Sequence, residues 1–525
     1  MKCVILIVAG VVLAASCGLA QGDWEVFLNS NDVTSLWVDA DSVVWGSRGG
    51  VVSYHPAAGS FSKTVREGPT GLRSSDVTAV ATDAAGRLWV GTAKAGVCVS
   101  QAGAWRFENT GNLHLLSDQV RCIAVLGDLT AVGTTAGLSL FRDGEFWRFF
   151  SGNDWGQSDC GSVLAVSLNG SEVVVGTACG LFALDVESLV WTEVIGGKNT
   201  PLVTFDGQGV FWAVTDDSIY TYDGSSVRVM PKTFIEPDDI RDIAASGASV
   251  WVASNYGPSR YDAVHRYWVH VTGGIPANLL DLRRIRVAGD GLVWIGTKNG
   301  VGRLVGEVWD IVASSGPATN YVQDICIDNV GRVWVGTGYR YSGAPTGASR
   351  GLLWFDPDSG IWNQLASPEI PSSNTMACEV NRADGSVWVG FWDGYGMMRL
   401  NPDSLTWVSY RDIMISKSCP AMYIDPQGNV AFSEYSVGVG VLSPDREVVH
   451  YSGGTANECV DVRCCMAIGP GLDGTYMIGT YFVSSGDPCA AGVVNLGLGQ
   501  DFTDTSDDTC RAWKPKDGWP QGIAT

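Results

Sequence analysis

Asp83-Ala-Ala-Gly-Arg-Leu-Trp-Val-Gly-Thr92 is the stretch on which the fold turns. It returns as Gly291-Leu-Val-Trp-Ile-Gly-Thr297, Asp328-Asn-Val-Gly-Arg-Val-Trp-Val-Gly-Thr337 and Asp384-Gly-Ser-Val-Trp-Val-Gly390. Weaker copies occupy 43–47, 129–134, 173–177, 210–215, 250–254, 429–433 and 476–480. Taking the Trp or the residue in its place as the mark, the copies fall at 45, 89, 131, 174, 212, 251, 294, 334, 388, 430 and 477. Successive marks lie 38 to 47 residues apart, with a single interval of 54. Self-similarity at such a period belongs to stacked or radial repeats.

The second copy displays the unit. Residues 77–82 alternate and read as a strand. Asp83–Gly86 is a tight turn, in which Gly supplies the positive φ that a hairpin needs. Residues 88–92 make a second strand, 96–99 a third and 105–107 a fourth. Four short antiparallel strands per repeat predict a β-propeller blade, and the near absence of helical periodicity argues against an α-solenoid. The repeat Trp is expected to fill the wedge between neighbouring blades, and the Gly two places after it to admit a close backbone. The acidic turns at 83–86, 206–209, 328–331 and 425–428 lack the spaced oxygen ligands and closing Glu of a calcium loop, so they are read as turns.

The pattern of strand, Asp-x-x-Gly, Leu-Trp-Val-Gly-Thr, then Gly-Leu and an apolar strand resembles the two-component regulator propeller repeat. The resemblance is strong at 83–99, 290–304 and 328–356, and faint at 129–141 and 425–442. Gly273-Gly-Ile-Pro276 and Asp517-Gly-Trp-Pro520 are similar to the linker that joins such blades. The resemblance implies an extracytoplasmic sensor-type propeller, a class found in bacterial hybrid histidine kinases and in secreted proteins without a kinase. Nothing in the chain matches the kinase half.

The chain opens with Lys2, an apolar run over 4–15 and the small-x-small site Gly18-Leu-Ala20. This predicts a signal peptide over 1–20 and a mature start at Gln21. The alternative is a lipid anchor at Cys17, although Leu13 stands one place too far from it for a regular lipobox. No later segment is long and apolar enough to span a bilayer as a helix. The expected fold is all-β, with about eleven four-stranded blades: a first propeller of seven over 21–305 and a partial second one over 306–525. Asp23-Trp-Glu-Val-Phe27 looks like a fourth strand without a blade before it, and is expected to complete the seventh blade beside 301–304. Trp309-Asp-Ile-Val312 would then open the second ring in the same manner. Residues 517–525 read as the start of a further blade, as if the chain were truncated before a kinase or sorting domain.

A formal charge of −21 argues against nucleic acid and other polyanions as partners. Twelve of the 14 cysteines follow the leader, an even number that favours disulfides in an exported protein. Cys459, Cys464, Cys465, Cys489 and Cys510 crowd into the last repeat without a Cys-x-x-Cys pair or a His, so stapling is preferred there to zinc.

Catalytic signals are thin. The five His fall in no metal or hydrolase motif, and no phosphate-binding loop is present, so no catalytic residue, metal or cofactor is assigned. His270 and His450 are expected on exposed strand faces. The turns between second and third strands are plain in the early repeats and aromatic in the later ones. They carry Tyr256, Tyr339, Arg340, Tyr341, Trp392, Asp393, Tyr395, Tyr435 and Tyr481, with Glu434 and Asp487 nearby. Rings with a few polar groups suit stacking on a glycan or peptide. The reading is a non-catalytic exported binding or sensor module, periplasmic or at the cell surface. The alternatives are a propeller-fold polysaccharide lyase or hydrolase, and a structural surface or secretion-system scaffold whose partner is another surface protein.

Overall fold

The computed structural model describes residues 29–39, 41–62, 65, 68, 71–101, 104–231, 239–246, 249–262, 267–276, 279–288, 290–314, 316–339, 349–452, 465–471, 474–480, 493–498 and 509–513. Within them lie eleven four-stranded antiparallel sheets, each with its strands in chain order. We number these blades 1 to 11: 35–61, 77–108, 120–150, 163–196, 202–231, 240–270, 284–312, 322–365, 375–409, 422–452 and 465–513. The chain is therefore an all-β propeller protein. Blades 1–7 belong to one compact unit, Phe27–Gly316, and blades 8–11 to a second that follows it.

Each part of the repeat motif has a distinct structural task. Trp45, Trp89, Trp251 and Trp334 are completely enclosed in the blade cores. The Asp that opens the turn closes it as well: Asp83 Oδ1 accepts the amides of Ala85 and Arg87 at 3.0 and 2.9 Å. Its other oxygen accepts the Trp89 indole N–H at 2.9 Å and Arg87 Nε at 2.6 Å. Asp328, Arg332 and Trp334 repeat this arrangement at 2.7 and 3.0 Å. The Thr of the motif then fixes the next turn. Thr92 Oγ1 donates to the carbonyl of Gly96 at 2.9 Å, and Thr337 Oγ1 to that of Gly351 at 2.7 Å. At Gly91 a Cβ would lie 2.5 Å from Val120 of the next blade, so only Gly lets the two sheets approach this closely.

In the first unit the ring closes without the expected strand exchange. The first strands of blades 1 to 7 touch in cyclic order, and blade 7 returns to blade 1. Blade 7 owns its fourth strand: Val308–Val312 pairs along Val301–Val305, with Val301 opposite Val312 and Leu304 opposite Trp309. The edge reserved for the N-terminal segment is thus occupied, and Trp309 ends the first ring instead of opening the second. Residues 23–27 lie outside the described residues. The division accordingly falls near 316, beyond the expected boundary at 305.

Closure uses the bond that joins consecutive blades. Gly50 donates to Ser75 O at 3.0 Å and Gly96 to Asp118 O at 2.9 Å; Gly300 donates in the same way to Asn31 O at 2.7 Å. Asn31, only 3% exposed, also clasps Ser314 across the junction. Its Nδ2 donates to Ser314 O at 2.8 Å, and its Oδ1 accepts the Ser314 amide and hydroxyl at 3.0 and 2.8 Å. Asn31→Ala should destabilise the first unit by about 2–3 kcal/mol, because it leaves buried Ser314 groups without partners. Denaturant unfolding would check this, and an unchanged midpoint would show that the clasp is idle.

Cys160 and Cys179 form a disulfide within blade 4 and its approach, with Cα atoms 6.0 Å apart. The other scattered cysteines, Cys98, Cys122, Cys326, Cys378 and Cys419, are free thiols, against the expectation of general pairing. They serve as small apolar residues between blades. Desolvation pushes the Cys122 and Cys419 thiols up to about 12. Cys465 is likewise free and buried. Cys459, Cys464 and Cys489 lie outside the described residues, and Cys510 is described only as part of a strand.

Candidate functional site

The second unit brings three of the aromatic turns into one row. Each turn joins the second and third strands of its blade, so all three emerge at the same ends of their sheets. The short linkers between blades hold them in series. Asn374, just before blade 9, accepts the Tyr339 amide on Oδ1 at 2.9 Å and donates from Nδ2 to the Tyr339 carbonyl at 3.2 Å. Its own carbonyl accepts the Trp392 amide at 3.3 Å. Ser418, before blade 10, donates from its hydroxyl to the Trp392 carbonyl and offers its carbonyl to the Tyr435 amide at 3.1 Å. Backbone and linker side chains thus fix the order Tyr339, Trp392, Tyr435.

The rings are partly used by the protein itself. Trp392 and Tyr435, from adjacent blades, pack at 4.7 Å between centroids and 52° between planes. Tyr339 sets its edge against Tyr321 at 6.3 Å. All three are half-buried, whereas Tyr395 is 45% exposed. Asp393 is exposed, and its Oδ2 accepts the hydroxyl of Ser372 at 2.6 Å. Arg411 Nε bonds the Gly394 carbonyl at 2.9 Å, which steadies the turn that carries Tyr395.

Other residues of the expected face are placed differently. Arg340, Tyr341, Tyr481 and Asp487 lie outside the described residues. Tyr256 is 58% exposed, but on blade 6 of the first unit, and so is no part of this row. Glu434 is completely buried instead of facing a ligand. It accepts the Ile415 amide on one oxygen and meets His450 Nδ1 at 2.6 Å on the other. His450 therefore has a buried partner where sequence suggested a plain exposed face. Its neighbour in strand pairing, Gly440, is covered by the Phe432 ring, and Glu434 reaches His450 from the end of the second strand, a placement that carries no sequence signal.

A cavity of about 320 Å³ in the second unit lies at the opposite ends of the strands. Its walls include Asp384, Trp388, Arg399 and Tyr410. Arg399 and Asp384 are paired at 2.6 Å. Burial raises the Asp384 pKa, but the Ser386 hydroxyl, the Ser386 amide and the Arg399 charge together outweigh it and hold the carboxyl below its usual range. This corner holds a satisfied ion pair. Among the described residues, no group of three His, Cys, Asp or Glu is arranged to hold a metal ion, and no helix is long and apolar enough to cross a membrane.

Comparisons with known proteins agree with the architecture. The model of the two component regulator propeller family matches residues 71–94 and 316–339. No curated protein matches the sequence. Among solved structures, the chain is similar to PorZ, an essential bacterial surface component of the type-IX secretion system of Porphyromonas gingivalis. The identity is 14%, over 92% of this chain and 67% of that one, with a TM-score of 0.68. It is also similar to the extracellular domain named for the hybrid two component system BT4673 of B. thetaiotaomicron. There the identity is 15%, over 93% of this chain and 72% of the other, with a TM-score of 0.34. The matches of the two component regulator propeller model fall on blades 2 and 8, where the sequence motif is strongest.

Proposed function

We propose that the chain is an exported, non-catalytic propeller module that binds a glycan or peptide on the aromatic row of its second unit. The row Tyr339–Trp392–Tyr435, tied through Asn374 and Ser418, is the observation that carries this reading. Turns held by such bonds, with rings that already pack on neighbouring rings, lose little freedom on binding, which favours their use as stacking surfaces. Tyr395 and Asp393, exposed on the same turn as Trp392, add an amphipathic ring and a hydrogen-bond acceptor. The leader over 1–20 accords with export, to the periplasm or cell surface.

Trp392→Ala is expected to weaken ligand binding by about 1–3 kcal/mol, the usual cost of a hot-spot aromatic. It should cost the fold only about 1 kcal/mol, because the ring contributes one aromatic pair and no core layer. Glycan and peptide arrays followed by thermal melts of both proteins test this. If Trp392→Ala unfolds the unit and the refolded fraction binds as before, the site is elsewhere.

A second reading is a surface scaffold that assembles with other proteins. The shared architecture with PorZ, which is described as a component of a secretion system, supports it. It predicts capture of a protein subunit that survives Trp392→Ala.

A further inference from the structure

The first unit contains a separate charged cavity at the meeting point of its blades. It measures about 180 Å³ and is lined by first-strand residues of blades 1 to 7 together with the approach to blade 5. Its walls include Arg121, Arg284 and Arg286 against a single carboxylate, Asp242. Three cations to one anion is an unusual balance in a chain whose formal charge is −21.

Local backbone geometry puts these groups there. In blades 2, 3 and 4 the first strand carries one extra residue, since Val77 and Ala79, Val120 and Cys122, and Val163 and Ala165 face consecutive partners. The extra residues are Thr78, Arg121 and Leu164, and all three line the cavity. A bulge of this kind re-aims a side chain out of the regular alternation. From the far side, alternate residues Arg284 and Arg286 of blade 7 face the same space.

Asp242 is already fully engaged. Its Oδ2 accepts Arg286 Nη1 at 2.6 Å and the Ile285 amide at 3.0 Å, while Oδ1 accepts the Ile243 amide at 3.1 Å. Among the described residues, Arg284 Nη1 donates to the carbonyl of Arg283 at 2.7 Å and to no carboxylate. Burial pulls the Arg284 pKa below its ordinary value; Asp242 opposes this, and the charges of Arg286 and Arg283 add to it. Among the described residues Arg121 is exposed and makes no ion pair. The buried Thr78 hydroxyl has no hydrogen-bond partner among them either.

We propose that this cavity is an oxyanion-binding site: it takes a small molecule that presents a carboxylate, sulfate or phosphate group to Arg121 and Arg284, with the Thr78 hydroxyl as an added donor. Guanidinium groups fit such planar or tetrahedral oxygens with paired N–H donors, and partial desolvation strengthens the bond. The site stands on the first unit and does not depend on the aromatic row.

Calorimetric titration of the whole chain with inorganic phosphate, sulfate and glucuronate, with glucose as the neutral control, tests it. At least one of the anions should bind and glucose should not, and added salt should weaken the binding. Arg121→Gln, on an exposed side chain, should lower that affinity by roughly tenfold or more without moving the melting temperature. Thr78→Val serves as a second variant and should weaken binding by a smaller factor. A preference for glucuronate over phosphate would identify a sugar acid as the class of guest, and the reverse order a phosphoryl group. Trp392→Ala should leave the titration unchanged, which separates this site from the proposed glycan or peptide face. Absence of binding by all three anions, or equal binding by wild type and Arg121→Gln, would overturn the proposal.

Discussion

Trp334→Ala is expected to lower the stability of the second unit by about 3–5 kcal/mol, as for other buried Trp truncations. The indole of Trp334 is completely enclosed and stacks on Trp354 at 5.1 Å between centroids. It packs in a core shared by blades 8 and 9, with Leu352, Cys378 and Val389. Its removal leaves a cavity that the sheets cannot collapse, because the hydrogen-bonded ladders of both blades hold their spacing. Denaturant unfolding would read the effect. A loss below about 1 kcal/mol would mean that the wedge between these blades is filled by other side chains. The contrast with Trp392→Ala is the useful one, since the two residues are both Trp and only one is a core residue.

Asp328→Ala should destabilise the same unit by a comparable amount, about 3–5 kcal/mol. The Asp328 side chain is 1% exposed and holds Arg332 Nε at 2.7 Å. It also accepts the Trp334 indole at 3.0 Å and two turn amides, those of Val330 and Arg332, at 3.0 and 2.9 Å. Removing it strands a buried indole N–H and half of an ion pair. The two substitutions share one network, so their effects should fall short of additivity by about 0.5–3 kcal/mol.

The same carboxylate predicts a pH dependence. Burial raises the Asp328 pKa, but the bonds from Trp334 and Arg332 outweigh it, and the net shift is downward from 3.8. Asp83 is shifted in the same direction by the equivalent pair, Trp89 and Arg87. A folded pKa below the unfolded one contributes stability that is complete above the unfolded value and is lost as pH falls through the folded one. Thermal stability should thus be level above about pH 5 and decline below about pH 4. Asp328→Asn, which cannot titrate, should flatten that decline for the second unit.

What was legible in the sequence follows from what is local. The turn at Asp83–Gly86 and the enclosed Trp89 lie within one hairpin, and Trp334 occupies the same place in its own. Their chemistry repeats with the blade, and the period together with four strands per repeat announced a propeller. The spacing of the aromatic turns likewise suggested that Tyr339, Trp392 and Tyr435 share one end of their sheets. Sequence did not reveal that Asn374 and Ser418 tie them together, because linker residues have no fixed place in the repeat.

Tertiary structure alone decided the closure, in which Asn31 meets Ser314 across 283 positions of chain. A free-looking N-terminal strand and an ordinary fourth strand have the same local pattern, so Trp309 could be assigned only once its partners were seen. The burial of Glu434 against His450 was hidden for a similar reason: a carboxylate at a strand end beside an aromatic turn reads as solvated until its partners Ile415 and His450 are seen. Arg121 and Arg284 are farther apart still, in blades 3 and 7. Their convergence on one cavity arises from the radial arrangement of seven first strands, a property of the closed ring that no single repeat encodes.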